Sequence, residues 1–324
     1  MMMQMVRIWL ALVAAAALLG PAAAQDYPSR PVRVIVPFGA GGPADIYARV
    51  IAQHLQEAFK QPFVVEARPG AGSITGTAEA AKAEADGYTL LMMSNTHTVN
   101  ETLRPNRPFV LMRDFVAVVP VNYSDLIMVV HPSVPAKDLK EFIALLKSKP
   151  GALNYASSGA GTPYHMAGEL FKAMSGTDIV HVPHKASGDA RTAVLGGHVE
   201  MMIDALTTTA PTVQGGQLRA LATTGKTRSS LLPDVPTVDE AGIPGYEATI
   251  WLGLMAPTGT PQTVVDKLNT EVNKALSKAE LKDAWAKQGA VPIIMRPAEF
   301  DTYLRGDIEK WAKVIQTAGI KPGQ

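Results

Sequence analysis

After residue 25, short β-branched runs alternate with segments whose apolar residues recur every three or four positions, the pattern of a parallel α/β sheet. Val32-Arg33-Val34-Ile35-Val36 predicts a strand, and Tyr47, Val50, Ile51, His54, Leu55 and Ala58 predict a helix with one buried face. Gly41-Gly42-Pro43 closes the loop between them. Residues 63–66 predict a second strand, 68–73 its loop, 74–85 a helix, and 88–93 a third strand running into a polar loop, Ser94-Asn95-Thr96-His97-Thr98. One strand is expected to stop near 121–124 and another, 126–130, to begin.

The same grammar then repeats. Leu139, Phe142, Ile143, Leu145 and Leu146 mark a helix, 154–156 a strand, 157–162 a glycine- and serine-rich loop, and Met166, Leu170, Phe171 and Met174 the next helix. Strand 179–182, loop 184–188, helix 189–195 and strands 199–203 and 219–223 follow. A new strand at 249–255 opens a tail that is mostly helical, with a short strand near 291–294. Two similar halves and a strand-poor tail predict two lobes. The first is built from residues 25–123 and completed by 249–324, and the second spans 124–248.

Open α/β sheets bind ligands beyond the carboxyl ends of their strands, which is where these glycine, serine and threonine loops fall. Each loop also opens a helix, whose free N–H groups and positive dipole end favour an anion. A cleft with several such ends suggests a carboxylate ligand.

Composition narrows the partners. A chain of 324 residues with 47% hydrophobic content can supply a core to each of two lobes. Lys plus Arg (30) balances Asp plus Glu (29), so the cationic footprint that nucleic acid or an anionic membrane surface requires is missing. There is no cysteine, hence no disulfide, thiolate metal site or cysteine nucleophile. Arg7, the apolar stretch 8–20 and Ala22-Ala23-Ala24 form a signal-peptide pattern, with cleavage after Ala24 giving a mature chain that starts at Gln25. An apolar run of 13 residues is too short to span a bilayer, which takes roughly 20.

Other chemistries are visible but weaker. Gly39-Ala40-Gly41-Gly42-Pro43-Ala44 fits the dinucleotide pattern, with Glu66 where a ribose-binding acid would stand. Pro37 and Phe38 intervene after the strand, however, and an exported chain leaves the nicotinamide pool. Ser157 or Ser158 with His165 suggests a hydrolase, yet the G-x-S-x-G elbow and a third partner are missing. His181, His184 and His198 with Asp204 match no compact zinc spacing. Asp45 falls at the third helical position if Pro43 is the first, where it either braces the helix start or accepts from a ligand donor. The methionines at 92, 93, 201 and 202 read as core, as do Trp251, Trp285 and Trp311, although Trp251 on a crossing strand could also line the cleft. Phe38 and Trp251 are the residues that would stack on an aromatic ligand.

Tyr27-Pro28-Ser29-Arg30-Pro31-Val32, Val36-Pro37-Phe38, Arg68-Pro69-Gly70-Ala71-Gly72, Asp86-Gly87-Tyr88-Thr89-Leu90-Leu91 and His131-Pro132-Ser133-Val134-Pro135 stand in one order along the chain. Val180-His181-Val182-Pro183, Leu232-Pro233-Asp234-Val235-Pro236-Thr237 and Gly259-Thr260-Pro261 continue it. In these motifs the sequence resembles the Bug family of extracytoplasmic solute receptors, the binding components of tripartite tricarboxylate transporters. The resemblance implies a type II periplasmic-binding-protein fold, two hinged lobes, no cofactor, no catalysis, and a monomer. It also implies a carboxylate ligand held between the lobes and delivered to integral membrane transporter subunits. Carried over by position, the ligand-facing candidates are Phe38 and Asp45 in the first loop, Ser73 in the second, and Ser94, Asn95 and Thr96 in the third. The second lobe contributes Ser157, Ser158, Thr162, His165, His184, Lys185 and Asp204. The chain departs from the family's common Tyr-Lys-Gly at His184-Lys185-Ala186, and carries Ala67 and Ala205 where relatives have asparagine. Those departures bear on which ligand is bound.

Overall fold

The computed structural model describes residues 27–317 and 319–322, so the signal-peptide pattern lies outside the described residues. In the first lobe β1 (Val32–Val36) pairs in parallel with β2 (Phe63–Ala67) and β3 (Thr89–Ser94). In the second, β5 (Asn154–Ser157) pairs in parallel with β6 (Val180–Pro183) and β7 (Met201–Ala205). Two antiparallel strands, β4 (Phe115–Val130) and β9 (Thr249–Pro257), lie between them, giving the order β2-β1-β3-β9-β4-β7-β5-β6.

β4 is the structural bridge, and it corrects the expected break near 121–124. It is one strand of 16 residues. Phe115 to Asp125 pair with β9, and Leu126 to Val130 pair with β7 on one side and with β8 (Arg219–Thr223) on the other. Register shifts at Ala117/Val119 and Pro120/Asn122 bend it without ending it. Tyr123, Ser124 and Asp125 look like a turn in sequence because the strand there is leaving one lobe for the other and little apolar surface covers it: Tyr123 is 42% exposed. The short β10 (Ala290–Pro292) pairs with the same stretch.

The helices follow from apolar periodicity and their caps. α1 (Pro43–Phe59) starts with proline, whose missing N–H and fixed φ suit the first turn, and buries Tyr47, Ile51 and Leu55 along one stripe. It stops where Lys60 turns left-handed (φ 58°) and donates its N–H to Gln56 O. α2 (Ile74–Ala81) is four residues shorter than expected. The polar stretch 94–98, expected to be a loop, is the start of helix α3 (Asn95–Leu103). Ser94 caps it by accepting the Thr96 N–H, and His97 Nδ1 accepts the Ser94 N–H.

Beyond the four-residue α4 (Leu111–Asp114), the second lobe holds α5 (Leu139–Ser148), α6 (Pro163–Ser175), α7 (Ser187–Leu195) and α8 (Leu206–Gln214). The last of these had no sequence signal. The tail supplies α9 (Gln262–Leu276), α10 (Ala279–Ala286) and α11 (Pro297–Thr317). Val265, Leu268 and Val272 of α9 share a core with α1, Trp285 meets Tyr47 edge-on at 4.8 Å, and Trp311 and Ile315 pack with Val99 and Leu103. These contacts hold α1 and α3, and therefore the loops before them, against a rigid backing. No helix among the described residues is long and apolar enough to cross a membrane.

Candidate functional site

A cavity of about 630 Å³ lies where the loops after β1, β2, β3, β5 and β6 converge. Its apolar wall includes Pro37, Phe38, Pro163, Ile250 and Leu252. Hydroxyls come from Ser73, Ser94, Ser158, Thr162, Tyr164 and Ser187, and basic side chains from Arg104, His184 and Lys185. No Asp or Glu lines it among the described residues. Such a wall suits an anion with an apolar body, since every formal charge facing inward is basic and the Ser73 and Ser158 hydroxyl protons are not spent among the described residues, whereas Ser94 donates to Thr96 Oγ1 and Thr162 to Gly159 O.

The lobes meet at two seams beside the cavity. At one, a β-carbon on Gly39 would stand 2.4 Å from Ala186 Cβ. At the other, β-carbons on Gly72 and Gly161 would stand 2.6 Å from Ala160 O and 2.7 Å from Asn100 Oδ1. Real β-carbons do not approach so closely, so glycine is what allows loops from opposite lobes to touch. The structure is a closed form.

Seven of the thirteen expected positions line the cavity: Phe38, Ser73, Ser94, Ser158, Thr162, His184 and Lys185. The other six are structural neighbours of the wall. Asp45 is buried, with Oδ2 accepting from Gly41 N–H (3.0 Å) and Arg49 Nε (3.1 Å), so it braces the first loop from behind. Asn95 turns away and donates to Thr249 O (3.0 Å), and Thr96 is fully buried under the cap of α3. Asp204 is buried at the end of β7, where Oδ2 accepts from Arg191 (2.9 and 2.6 Å) and Thr209 (2.7 Å). Position in the family pattern pointed to these residues, but Asp45 Oδ2 and Asp204 Oδ2 take their donors from inside the protein.

Ser157 and His165 belong to a stack beneath the fourth loop. Ser157 Oγ is 2.6 Å from His181 Nε2 and accepts the Gly159 N–H at 3.1 Å. The His181 ring lies between Tyr155 (4.9 Å) and His165 (4.2 Å), and His165 Nδ1 accepts the Gly161 N–H. Ser157 is fully buried and off the cavity wall. The pairing expected with His165 is made instead with His181, facing inward. Ser157→Ala is expected to lower stability by about 1–3 kcal/mol, measured by urea unfolding, because His181 and Gly159 N–H lose their partner in a buried place.

Three histidines are held neutral, His97 and His165 buried and His181 half-buried. Burial pushes His97 down to about 4, against a smaller opposing effect of its bond to the Ser94 backbone. Burial, then the Lys172 and Arg104 charges, brings His165 to about 4. Burial, then His165, brings His181 to about 3. His97 has a defined tautomer: Thr77 Oγ1 gives its proton to Ser73 O (2.8 Å), so His97 Nε2 donates to Thr77 (2.9 Å) and Nδ1 accepts from Ser94.

Trp251 packs inside the protein, the first of its two readings, and does not line the cavity. Successive strand residues face opposite sides, so Ile250 and Leu252 take the cavity side of β9, and Trp251 points away to meet Phe300 and Tyr303 edge-on. Phe38 does face the cavity, with its ring edge-on to His97 at 5.8 Å. Arg104, Tyr164, Ser187, Ile250 and Leu252 were missed. Strand alternation could have found the last two, and helix-start positions Tyr164 and Ser187. Arg104 became visible only once 95–103 was known to be helix. Glu66, the supposed ribose acid, is instead clamped by Arg33 (2.9 Å) and Arg68 (2.9 Å). Among the described residues no three His, Asp or Glu side chains converge as metal ligands.

Comparison with known proteins places this architecture. The tripartite tricarboxylate transporter family receptor domain matches residues 47–320. Protein BugT of Bordetella pertussis is 38% identical over 311 residues, covering 95% of each chain. An R. palustris protein solved with adipate superposes with a TM-score of 0.89 at 34% identity, covering 92% of this chain and all of that one. MatC from Rhodopseudomonas palustris, solved with bound malate, gives 0.83 at 31% identity over 89% of this chain and all of its own. The chain belongs to the tripartite tricarboxylate transporter receptor family, and its fold is the two-lobed periplasmic-binding-protein fold. Proteins of this family are periplasmic solute receptors.

Proposed function

We propose that the mature chain, residues 25–324, is a periplasmic receptor that closes around a small carboxylate and delivers it to an integral membrane transporter. The observation that carries this reading is the wall of the cavity, which combines hydroxyls, three basic side chains and no acid within a shell made by both lobes. The related proteins solved with adipate and malate support the same ligand class. Binding is then a closure equilibrium: ligand contacts from both lobes exist together only in the closed form, so ligand favours that form. The lobes divide at 123/124 and 248/249, where β4 and β9 pair at Ser124–Ile250 and Asp125–Thr249, and the hinge acts there. The closed surface is what the transporter recognises, and the receptor acts as a monomer.

No bond is made or broken in this scheme. The hydrolase alternative would need Ser157 or Ser158 paired with His165; Ser157 is spent on His181 and Gly159, and Ser158, though at the cavity, makes no hydrogen bond to a histidine among the described residues, His165 Nδ1 accepting the Gly161 N–H instead. The dinucleotide alternative would need Glu66 free for a ribose, and two arginines occupy it.

A thermal-shift screen of mono-, di- and tricarboxylic, aromatic and amino acids tests the proposal. A ligand at about 100 times its dissociation constant stabilises by about 2.7 kcal/mol, on the order of 5 °C in melting temperature. Silence across every acid, with a response to sugars or to cations, would refute the carboxylate reading.

A further inference from the structure

Arg104 follows α3 at the second seam, next to Leu103, which together with Asn100 meets Gly161 of the opposite lobe. It lines the cavity. Its side chain makes no ion pair and no hydrogen bond among the described residues, and its Nε is buried without a partner. Every other arginine among the described residues has one. Ten are in ion pairs, from Arg30 with Asp86 to Arg305 with Asp301, and Arg219 donates to the carbonyls of Val134 and Ala136. Arg104 is half-buried, and it lines the cavity with donors that no protein group among the described residues uses, so an incoming anion supplies the partner that the fold does not. Its planar fork matches the two oxygens of a carboxylate.

The cavity's other strong cation stands elsewhere. Lys185 adjoins Ala186, at the first seam against Gly39, whereas Arg104 stands at the second. The wall also includes Phe38, Pro163, Ile250 and Leu252, which offer nothing to a charge. Two cations beside different seams of a cavity with apolar stretches suit a ligand with two acid groups and an apolar spacer.

We infer that Arg104 anchors a second ligand carboxylate, so that the site selects dicarboxylates over monocarboxylates of the same skeleton. This rests on the receptor reading above and deepens it.

The test is calorimetric titration of matched pairs, hexanedioate against hexanoate and terephthalate against benzoate, into the unmodified protein, Arg104→Met and Arg104→Lys. The unmodified protein is expected to prefer the diacid of at least one pair by more than about tenfold, the scale of one charge-assisted contact. In Arg104→Met the preference collapses toward unity, because a monoacid can seat its one group at the remaining end while a diacid must strand one. Arg104→Lys restores part of it, with charge but no fork. The variants keep their fold because only the backbone of Arg104 is engaged: its N–H bonds Asn100 O, and its carbonyl accepts from Arg107 (3.1 Å each). Their unligated melting temperatures check this. An unmodified protein with no diacid preference overturns the inference, as does a preference that survives in Arg104→Met; in either case the receptor reading stands. If the unmodified protein binds none of the four acids, the inference falls, and the receptor reading is decided by the wider thermal screen.

Discussion

Replacing Gly39 with valine is expected to weaken ligand binding by more than about a thousandfold, or about 4 kcal/mol, while the unligated protein still folds. The side chain is permitted locally, because Gly39 is not among the glycines with positive φ. The obstruction comes from the other lobe. A β-carbon there would stand 2.4 Å from Ala186 Cβ, where carbons in contact sit at about 3.5–4.0 Å. The lobes must then stay apart, and ligand keeps the contacts of one lobe only. Gly72 and Gly161 touch the facing lobe too, but their φ values of 62° and 82° would mix backbone strain into the result. Gly39 isolates closure. A second pair of variants makes the cause explicit: Gly39→Ala weakens binding, and adding Ala186→Gly moves the β-carbon from one side of the seam to the other and restores it. Calorimetry on all four proteins, with the acid found in the thermal screen, decides the matter. Binding by Gly39→Val at full strength, or failure of Ala186→Gly to rescue, would show that the seam does not control affinity.

Acid is expected to destabilise the protein well above the range where carboxylates titrate. His97, His165 and His181 are held at about 4, about 4 and about 3 in the folded protein, and return to about 6.5 when the chain unfolds. Below pH 6.5 the unfolded chain therefore takes up protons that the folded one refuses. The sign follows: these groups contribute stability that is complete above pH 6.5 and lost as pH falls toward 4 and 3. Each histidine adds a slope of about 1.4 kcal/mol per pH unit, about 4 for the three together. Urea unfolding at pH 7.5, 6.5, 5.5 and 5.0 measures it. In His181→Phe, which keeps an aromatic ring between Tyr155 and His165, the slope is expected to fall by about 1.4 kcal/mol per pH unit. Asp125, raised to about 6 by burial and by Glu247, opposes the histidines by about 1.4 kcal/mol per pH unit below pH 6, so the deciding result is the His181→Phe comparison: a slope that this variant leaves unchanged would mean that the ring is not held neutral. The effect reaches the cavity, because His97 fastens the Ser94 backbone, His165 the Gly161 N–H and His181 the side chain of Ser157.

Where sequence and structure part, burial of polar residues is the common reason. Ser94 to Thr98 read as a loop because no apolar period runs through them, yet all five are buried and bond one another, Thr77, Thr249 and Asp307, with Asn95 Oδ1 left without a partner. Hydrophobic periodicity cannot register a helix whose buried face is polar. α8 escaped for a related cause: Thr207, Thr208, Thr209 and Pro211 argue against helix, and packing in the second lobe overrides that preference. The same blindness placed Asp45, Asp204, Ser157 and His165 at the ligand, since type and position in a loop do not say whether a side chain turns toward the cleft or back into the protein. Trp251 was a matter of parity, decided by which face of β9 carries α11.

From sequence alone came the alternation of strands and helices, the two-lobe plan, the family, and the loops that would meet; each is encoded locally, in β-branched runs, helical spacing and glycine-rich turns read along the chain. Tertiary structure alone decided that β4 runs unbroken between the lobes, which half of the expected residues reach the cavity, and that Arg104 is among them. The physical reason is that a cleft is a relation between segments far apart in the chain. Whether a hydroxyl, a carboxylate or a guanidinium is spent on a neighbour or left free for a ligand depends on what the fold brings beside it.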